Sequence, residues 1–395
     1  MLGCGITVGK TSNRYNIHLT LTPGSHETRL LRETQHLVAE GIFAKIDVFA
    51  LWAPGLERQV RLDAKRTLFR MHLISRKLPR ILGLQMIKYF EWLIRLVMYC
   101  RKSPPDVVTL HSLETMAAGY VLKKIYGARI VYAPHELETE SNSLSGFRKT
   151  MSQWIESFFI RFADQVIVVN QSILDWYQKR YNLEQLSFVR NIPDIAQTTP
   201  PERPVHLKSK IGLNDSSLLF IYQGALTHGR GIEVLLNAFE RVAADRHIVF
   251  LGYGEMASLI KEAAKNYPNI HYHPAVPPSE LSYYTKGADI GISLIEATCL
   301  SYYLSLPNKL FEYLYAGLPV IVSDFPEMKR LVDSENLGWC ISAEGSGLSQ
   351  FISKITREDL ELKKRNVEGF IAEPLWPREK KVLSSVYGKV VVDLL

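Results

Sequence analysis

Residues 305–324 read SLPNKLFEYLYAGLPVIVSD. Ser305 is suited to cap a helix with Pro307 in its first turn, Gly317 to take the left-handed position past its end, and Pro319 to stop it continuing. VIV then re-enters a sheet, so the stretch predicts a helix followed by a buried strand. Glu312 stands one turn after Asn308 and near Lys309. A helix N-terminus beside a lysine favours an anion, because unpaired N–H groups and the macrodipole point at it. The same residues also fit a plain capped helix with Glu312 in solvent.

Outward from this stretch the alternation repeats. LLFIYQG (218–224), HIVFLG (247–252), NIHYHP (269–274), DIGISLI (289–295) and PVIVSD (319–324) are short apolar runs, each followed by a helical or turn pattern. Nearer the N-terminus, YNIHLTLT from residue 15, IDVFAL near 46–51, DVVTLH at 106–111, ARIVYAP at 128–134 and QVIVV at 165–169 alternate with helices. The first of these helices has Ser25 as its candidate cap, Leu30, Leu31, Thr34, Leu37 and Val38 on one face, and Gly41 at its close. Such alternation predicts parallel sheets covered on both faces. Residues 193–210 hold four prolines and no apolar period, which predicts a linker. The expected organisation is an N-terminal α/β domain at 1–192, a second at 211–375, and a helix within 376–395 that returns to the first domain.

The 395 residues are 47% hydrophobic and 22% charged, enough to bury two cores and too many for one. Cys4, Cys100, Cys299 and Cys340 stand far apart, with no CxxC and no adjacent His cluster, so neither a disulfide framework nor a zinc site is indicated. No apolar run approaches the roughly 18 residues of a membrane span, and the first residues lack a signal peptide's apolar core; the expectation is a cytoplasmic protein. The net charge of +7 belongs to one half: residues 1–200 carry 26 Lys and Arg against 17 Asp and Glu, residues 201–395 carry 21 against 23. Within residues 65–102, ten basic side chains meet the single acid Glu91 and interleave with apolar residues that include Phe90 and Trp92. With no nucleic-acid motif beside them, they predict an anionic membrane surface as partner and no nucleic acid. The protein is then expected to lie peripherally on the inner face of the membrane.

Gln223 to Gly231, QGALTHGRG, links a strand to the helix bearing Val234, Leu235, Ala238 and Phe239. Gly224 and Gly231 would let backbone approach a diphosphate, and Arg230 could grip it in bidentate fashion. Together PNKLFEYxxAGLPVI, GxxxxxRG and GYGE (252–255) resemble the nucleotide-sugar-binding domain of family 4 glycosyltransferases of the GT-B fold. The resemblance implies an α/β fold of two Rossmann-like domains facing a cleft, the second binding a nucleotide-diphosphate sugar and the first an acceptor. It implies that Glu312 contacts the donor's ribose, and that Asn308, Leu310, Gly224, Gly231, Gly252, Gly254 and Val276 border the donor, with Gly24 beside its phosphate. The family usually has a second Glu eight residues before Glu312; here that place is Leu304, with Glu296 on the preceding loop as a possible substitute. Ala225 stands where a second basic residue is common, so the charge neutralisation in catalysis falls to Arg230 and Lys309. His111 matches a catalytic His facing the cleft, while His135 and Glu136, with His26, fall on the acceptor side. Open parallel sheets place ligands at the carboxyl ends of their strands, where these residues stand.

Two look-alikes fail on spacing. CGITVGKT (4–11) lacks the phosphate-loop glycine five places before Gly9, and HELETE (135–140) has Thr139 where a zinc helix needs its second His. No Asp-x-Asp occurs, so no metal and no cofactor beyond the donor substrate are expected. The resemblance implies metal-independent transfer of a sugar, with retention, to a glycan or lipid-linked acceptor, as in polysaccharide or glycolipid biosynthesis. A nucleotide-sugar epimerase of the same fold, and a non-catalytic sugar-nucleotide-binding partner of a glycan assembly complex, are the alternatives.

Overall fold

The computed structural model describes residues 13–25, 27–79, 81–194, 207–214, 216–342 and 347–392. His26, Arg80, Cys4, the 4–11 segment and the middle of the linker lie outside them. Among the described residues the first sheet has eight strands, in the spatial order Gln59–Arg61, Arg66–Met71, Lys45–Leu51, Tyr15–Leu19, Val107–Leu110, Arg129–Tyr132, Gln165–Val168 and Leu186–Phe188. All are parallel to their neighbours except the edge strand Gln59–Arg61. The second sheet has six parallel strands, ordered Ile270–Pro274, Arg246–Tyr253, Leu218–Ala225, Ile290–Ser293, Val320–Ser323 and Gly338–Ile341. This is the α/β fold of two facing domains that the resemblance implies.

The runs VVTL (107–110) and VIVS (320–323) are buried at every position, as expected of central strands roofed by helices on both faces. On one face of the first sheet, helices Leu82–Cys100, Met116–Tyr126 and Gly146–Phe159 contribute Trp92, Leu96, Leu122 and Ile155 to a shared core. On the other face, Leu37 and Val38 of helix Thr28–Ala39 pack with Trp376, Leu383 and Tyr387 of helix Trp376–Val392. That last helix follows the second sheet in sequence yet is tied to the first. Tyr387 Oη lies 3.0 Å from Thr109 Oγ1, His36 Nε2 2.8 Å from Ser384 Oγ, and Arg190 Nε donates to Glu379 Oε1 at 2.8 Å.

Three local expectations are corrected. The first helix starts at Thr28 with Glu27 at the cap position, so Ser25 is not its cap, although Gly41 closes it at φ +69°. The basic stretch 65–102 is a strand, a short 3-10 turn and a helix, and two of its cations are interior. Arg66 donates to Leu31 O at 2.6 Å and pairs with Asp63 Oδ2 at 2.6 Å, and Arg70 donates to Pro23 O at 2.7 Å, so both guanidiniums are spent on internal partners. Trp92 is 1% exposed and belongs to the core, not to a membrane-facing surface.

Candidate active site

A cleft separates the carboxyl ends of the two sheets. On its donor side lies a cavity of about 400 Å³ lined by Gly224, Arg230, Tyr302, Asn308, Lys309 and Glu312, with Asn191, His135 and Glu136 reaching in from the first domain. Gly224 ends strand Leu218–Ala225 at φ +115°, a conformation that side-chain-bearing residues rarely adopt. Gly231 opens helix Ile232–Phe239 at φ +70°, where a Cβ would stand 2.7 Å from Leu294 Cβ. Between these turns Arg230 stacks its guanidinium 4.6 Å from the centroid of Tyr302, and its Nε is buried with no hydrogen-bond partner. Lys309 Nζ lies 3.9 Å from the centroid of Tyr222. Burial and then Arg230 push the Lys309 ammonium down to about 7, with Glu312 opposing. Two cationic groups that repel each other, one with an idle donor, suit an arriving polyanion.

Glu312 is held by a chain of hydrogen bonds that the sequence did not announce. Gln223 Nε2 donates to Glu312 Oε2 at 2.6 Å, and Thr285 Oγ1 donates to Gln223 Oε1 at 2.7 Å. The Gln223 backbone N–H donates to Tyr313 Oη at 2.8 Å, which donates to Ile292 O at 3.1 Å. Burial raises the Glu312 carboxyl above its usual range, while Gln223 and Lys309 pull it down. Gln223, Asn308 and Glu312 also border a second cavity of about 570 Å³ that runs between helix Thr28–Ala39 and helix Pro278–Lys286.

Of the other expected donor residues, Asn308 lines the cavity and several more stand outside its lining. Pro307, not Ser305, takes the cap position of helix Asn308–Tyr315; Ser305 Oγ donates to Tyr302 O at 2.7 Å instead. The helix therefore starts without a side-chain cap, with Asn308 facing both cavities. Leu310 is fully buried in the second domain's core, and Val276 is partly buried against the same cluster. Gly252 and Gly254 answer backbone crowding, since a Cβ would fall 1.9 Å from Gly224 O and 2.2 Å from Leu226 O. Gly24, at φ +69°, packs on Leu68 and donates its N–H to Thr22 Oγ1 at 3.2 Å. Leu304 packs against the first domain's core, and its carbonyl accepts from Asn170 Nδ2 at 2.8 Å. Glu296 Oε1 accepts from the Gly231 N–H at 3.2 Å, so its carboxylate is engaged at a helix N-terminus.

On the first domain's side the structure joins three imidazoles. His18 Nδ1 lies 2.9 Å from His111 Nε2, and His111 Nδ1 lies 3.2 Å from His135 Nε2. Asn16 Nδ2 sits 3.1 Å from His18 Nε2 at one end, and Glu27 Oε2 sits 3.8 Å from His135 Nδ1 at the other. Burial pushes His18 and His135 down to about 3 and His111 well below its usual range, so all three are neutral near pH 7. With the Asn16 amide assigned as donor, each ring donates from Nδ1 to the next. Both nitrogens of His111 are thereby occupied, and the imidazole that reaches the donor cavity is His135. His18 was legible only as one letter of a buried strand, YNIHL. His135 and Glu136 border the donor cavity and also a third cavity, of about 560 Å³, beside the first domain's strand ends. Asn142 Nδ2 donates to Thr298 Oγ1 at 2.7 Å and Ser172 Oγ to Glu327 Oε1 at 2.7 Å, so the domains touch across the cleft. Among the described residues no group of three or more His, Cys, Asp or Glu could hold a metal ion, and no helix is long and apolar enough to cross a membrane.

Residues 26–196 match the family model Glycosyltransferase Family 4, and residues 217–357 match Glycosyl transferases group 1. The alpha-maltose-1-phosphate synthase of Mycolicibacterium smegmatis is 22% identical over 292 residues, 69% of this chain and 71% of that protein. Two other curated relatives are matched over 44% and 54% of their own lengths. Among solved structures, the sucrose-phosphate synthase of Thermosynechococcus elongatus superposes with a TM-score of 0.76 at 14% identity, over 96% of this chain and all of that one. HepE of Anabaena, solved in complex with UDP-glucose, superposes with a TM-score of 0.67 at 12% identity, over 96% of this chain and 99% of that one. With a glycosyltransferase model matched on each domain and the architecture shared along nearly its whole length, the chain belongs to the family 4 glycosyltransferases of the GT-B fold.

Proposed function

We propose that this glycosyltransferase takes a sugar from a nucleotide-diphosphate donor and passes it, with retention, to a glycan or lipid-linked acceptor. The observation that carries the donor assignment is the pairing of Arg230 and Lys309 over a glycine turn and an uncapped helix start, in a cavity that also holds Glu312. UDP-glucose in the HepE complex supports the same donor class. Cleavage of the anomeric C–O bond builds positive charge on the sugar and negative charge on the departing diphosphate. Arg230, Lys309 and the first N–H groups of helix Asn308–Tyr315 stabilise the latter, and one such preorganised donor contributes about 3–4 kcal/mol. The acceptor oxygen attacks from the face the diphosphate leaves, and its proton passes to a diphosphate oxygen. Two cationic side chains serve in place of a divalent ion, so turnover survives chelation.

The membrane reading rests on a revised set of residues. Met86, Phe90, Ile94 and Met98 recur every four residues on helix Leu82–Cys100 and are 48–64% exposed, with Ile74 and Ile81 just before them. Tyr126 Oη donates to Val97 O at 2.9 Å, which sets helix Met116–Tyr126 beside it. Helix Gly146–Phe159, which contacts that helix, exposes Phe147 and Trp154 at 78% and 68%. Apolar side chains flanked by Lys77, Arg101 and Lys102 suit an anionic lipid surface.

The deciding assay mixes purified protein with nucleotide sugars and an acceptor library, and follows release of nucleoside diphosphate and the product's anomeric configuration by NMR. Acceptor-dependent release with retained configuration is the expected result. Sugar epimerisation without an acceptor, or no release with any donor, would overturn the reading.

A further inference from the structure

The third cavity, about 560 Å³ at the carboxyl ends of the first domain's strands, has a distinctive charge pattern. Four glutamates line it, Glu27, Glu114, Glu136 and Glu138, and among its lining residues there is no lysine or arginine. Burial raises the Glu138 carboxyl well above its usual range, so the negative charge rests on Glu27, Glu114 and Glu136. Serine and threonine hydroxyls supply most of the remaining polar surface, and Ser112 Oγ is buried there without a hydrogen-bond partner. The imidazoles that border it, His111 and His135, bring no positive charge near neutral pH, because burial holds both far below their usual range. The nearby cations are paired, although Nη2 of the buried Arg29 has no hydrogen-bond partner. Arg29 binds Glu33 at 2.7 Å and Pro134 O at 3.3 Å, and Lys149 pairs with Glu140 at 2.6 Å. The cavity adjoins the donor site through His135 and Glu136, which border both. Glu136 Oε2 lies 3.5 Å from Ser301 Oγ of the second domain.

We infer that this cavity seats the acceptor, and that the acceptor presents an uncharged polyol or sugar there, with no phosphate or carboxylate near the hydroxyl that reacts. The inference rests on the transferase reading and adds the chemical class of its second substrate. Carboxylates accept hydrogen bonds and cannot donate them while ionised, so a ring of them reads hydroxyl groups well. An anion would meet like charges in a partly desolvated space with no cationic side chain in its lining and its neighbour Arg29 paired with Glu33, a repulsive element that discriminates between partners. The contrast lies across the cleft, where Arg230 and Lys309 await the anionic donor. One cleft thus carries opposite charge on its two walls, which keeps the donor's diphosphate from entering the acceptor's seat. The hydroxyls can come from a free sugar or from a lipid that carries a sugar or glycerol headgroup.

The test pairs each neutral acceptor with a phosphorylated counterpart at fixed donor. Glucose is set against glucose 6-phosphate for the soluble source, and diacylglycerol against phosphatidic acid in mixed micelles for the lipid source, within a wider panel built the same way. Nucleoside diphosphate release is read for every member, and binding is read by calorimetry on protein loaded with the free nucleoside diphosphate. Neutral members should exceed their phosphorylated partners by about a hundredfold or more, and the better of the two arms names the source. In the double variant Glu114→Gln/Glu136→Gln the ratio should fall below about tenfold, because the repulsion is lost while the fold is not. A phosphorylated member that equals its neutral partner, a ratio unmoved in the double variant, or a panel in which no neutral member binds or reacts would each overturn the assignment. Binding with the expected preference but no turnover would instead fail the transferase reading and leave the cavity's selectivity established.

Discussion

Lys309 gives the donor site a pH dependence that can be worked out in advance. Its ammonium is held down to about 7 by burial and by Arg230, against an ordinary value of 10.5. A bound diphosphate supplies the missing counter-charge, so the donor binds the protonated form and returns the group toward its ordinary value. The charged fraction in the free protein falls from about one half at pH 7 to about 3% at pH 8.5. Donor affinity should therefore drop by about sixteenfold over that interval, or about 1.6 kcal/mol, with uptake of up to one proton per donor bound. Calorimetry of nucleoside diphosphate or nucleotide-sugar binding in buffers of different ionisation enthalpy measures both quantities. Lys309→Arg, which stays charged, should bind with a flat profile, and Lys309→Met should bind weakly at every pH. The free protein answers with the opposite sign. Between about pH 7 and 10 the unfolded chain holds a proton that the folded one has released, so stability should rise with pH through that window, and Lys309→Met should be more stable than the parent at pH 7. A parent affinity that is constant from pH 7 to 8.5, or a slope that persists in Lys309→Met, would refute the reasoning.

Glu312→Ala should lower donor affinity ten- to a hundredfold, as expected for a lost charge-assisted hydrogen bond of about 1.5–3 kcal/mol, with thermal unfolding little changed; calorimetry and a melt decide it. Arg230→Ala should cut kcat by on the order of a hundredfold and affinity by less, because the diphosphate's charge peaks as the bond breaks; steady-state kinetics with the preferred acceptor would show the split. Phe90→Ser/Ile94→Ser/Met98→Ser should abolish flotation with anionic vesicles at low salt while leaving nucleotide binding intact, and a parent protein that ignores such vesicles would remove the membrane from the account.

The central strands of the two sheets were legible because they are mostly buried apolar runs such as LLFIYQG and PVIVSD, whereas the edge strands Leu186–Phe188 and Gly338–Ile341, only partly buried, carried no such signal. Residues 59–71 were not, because Arg66 and Arg70 read as surface cations. Asp63 pairs with Arg66 locally, but the burial of both arginines is completed by Leu31 O and Pro23 O from distant parts of the chain, which the local sequence does not record. The same holds at the site. Arg230, Lys309 and Glu312 stand out by motif, whereas Gln223, which fixes Glu312, and His18, which anchors the imidazole chain, gain meaning only through partners 89 and 93 residues away. Leu304 reads as a missing acid until the structure shows it packed against the other domain. Ser305 and Ser25 were plausible caps by propensity, and tertiary packing overruled both.

Helix Trp376–Val392 sets the order in which the molecule can be completed during synthesis. The first sheet leaves the ribosome within the first half of the chain, yet one of its faces, with Phe43, Val107 and Ile167, is roofed in part by Trp376, Leu383 and Tyr387. Until those residues emerge, the part of that apolar face left open by helix Thr28–Ala39 has no permanent cover, while the second domain, made in between, has all of its own strands in hand. The domain translated first is thus the last to be finished. A nascent chain stalled shortly before residue 376 should hold a protease-resistant second domain joined to a first domain that still binds chaperones.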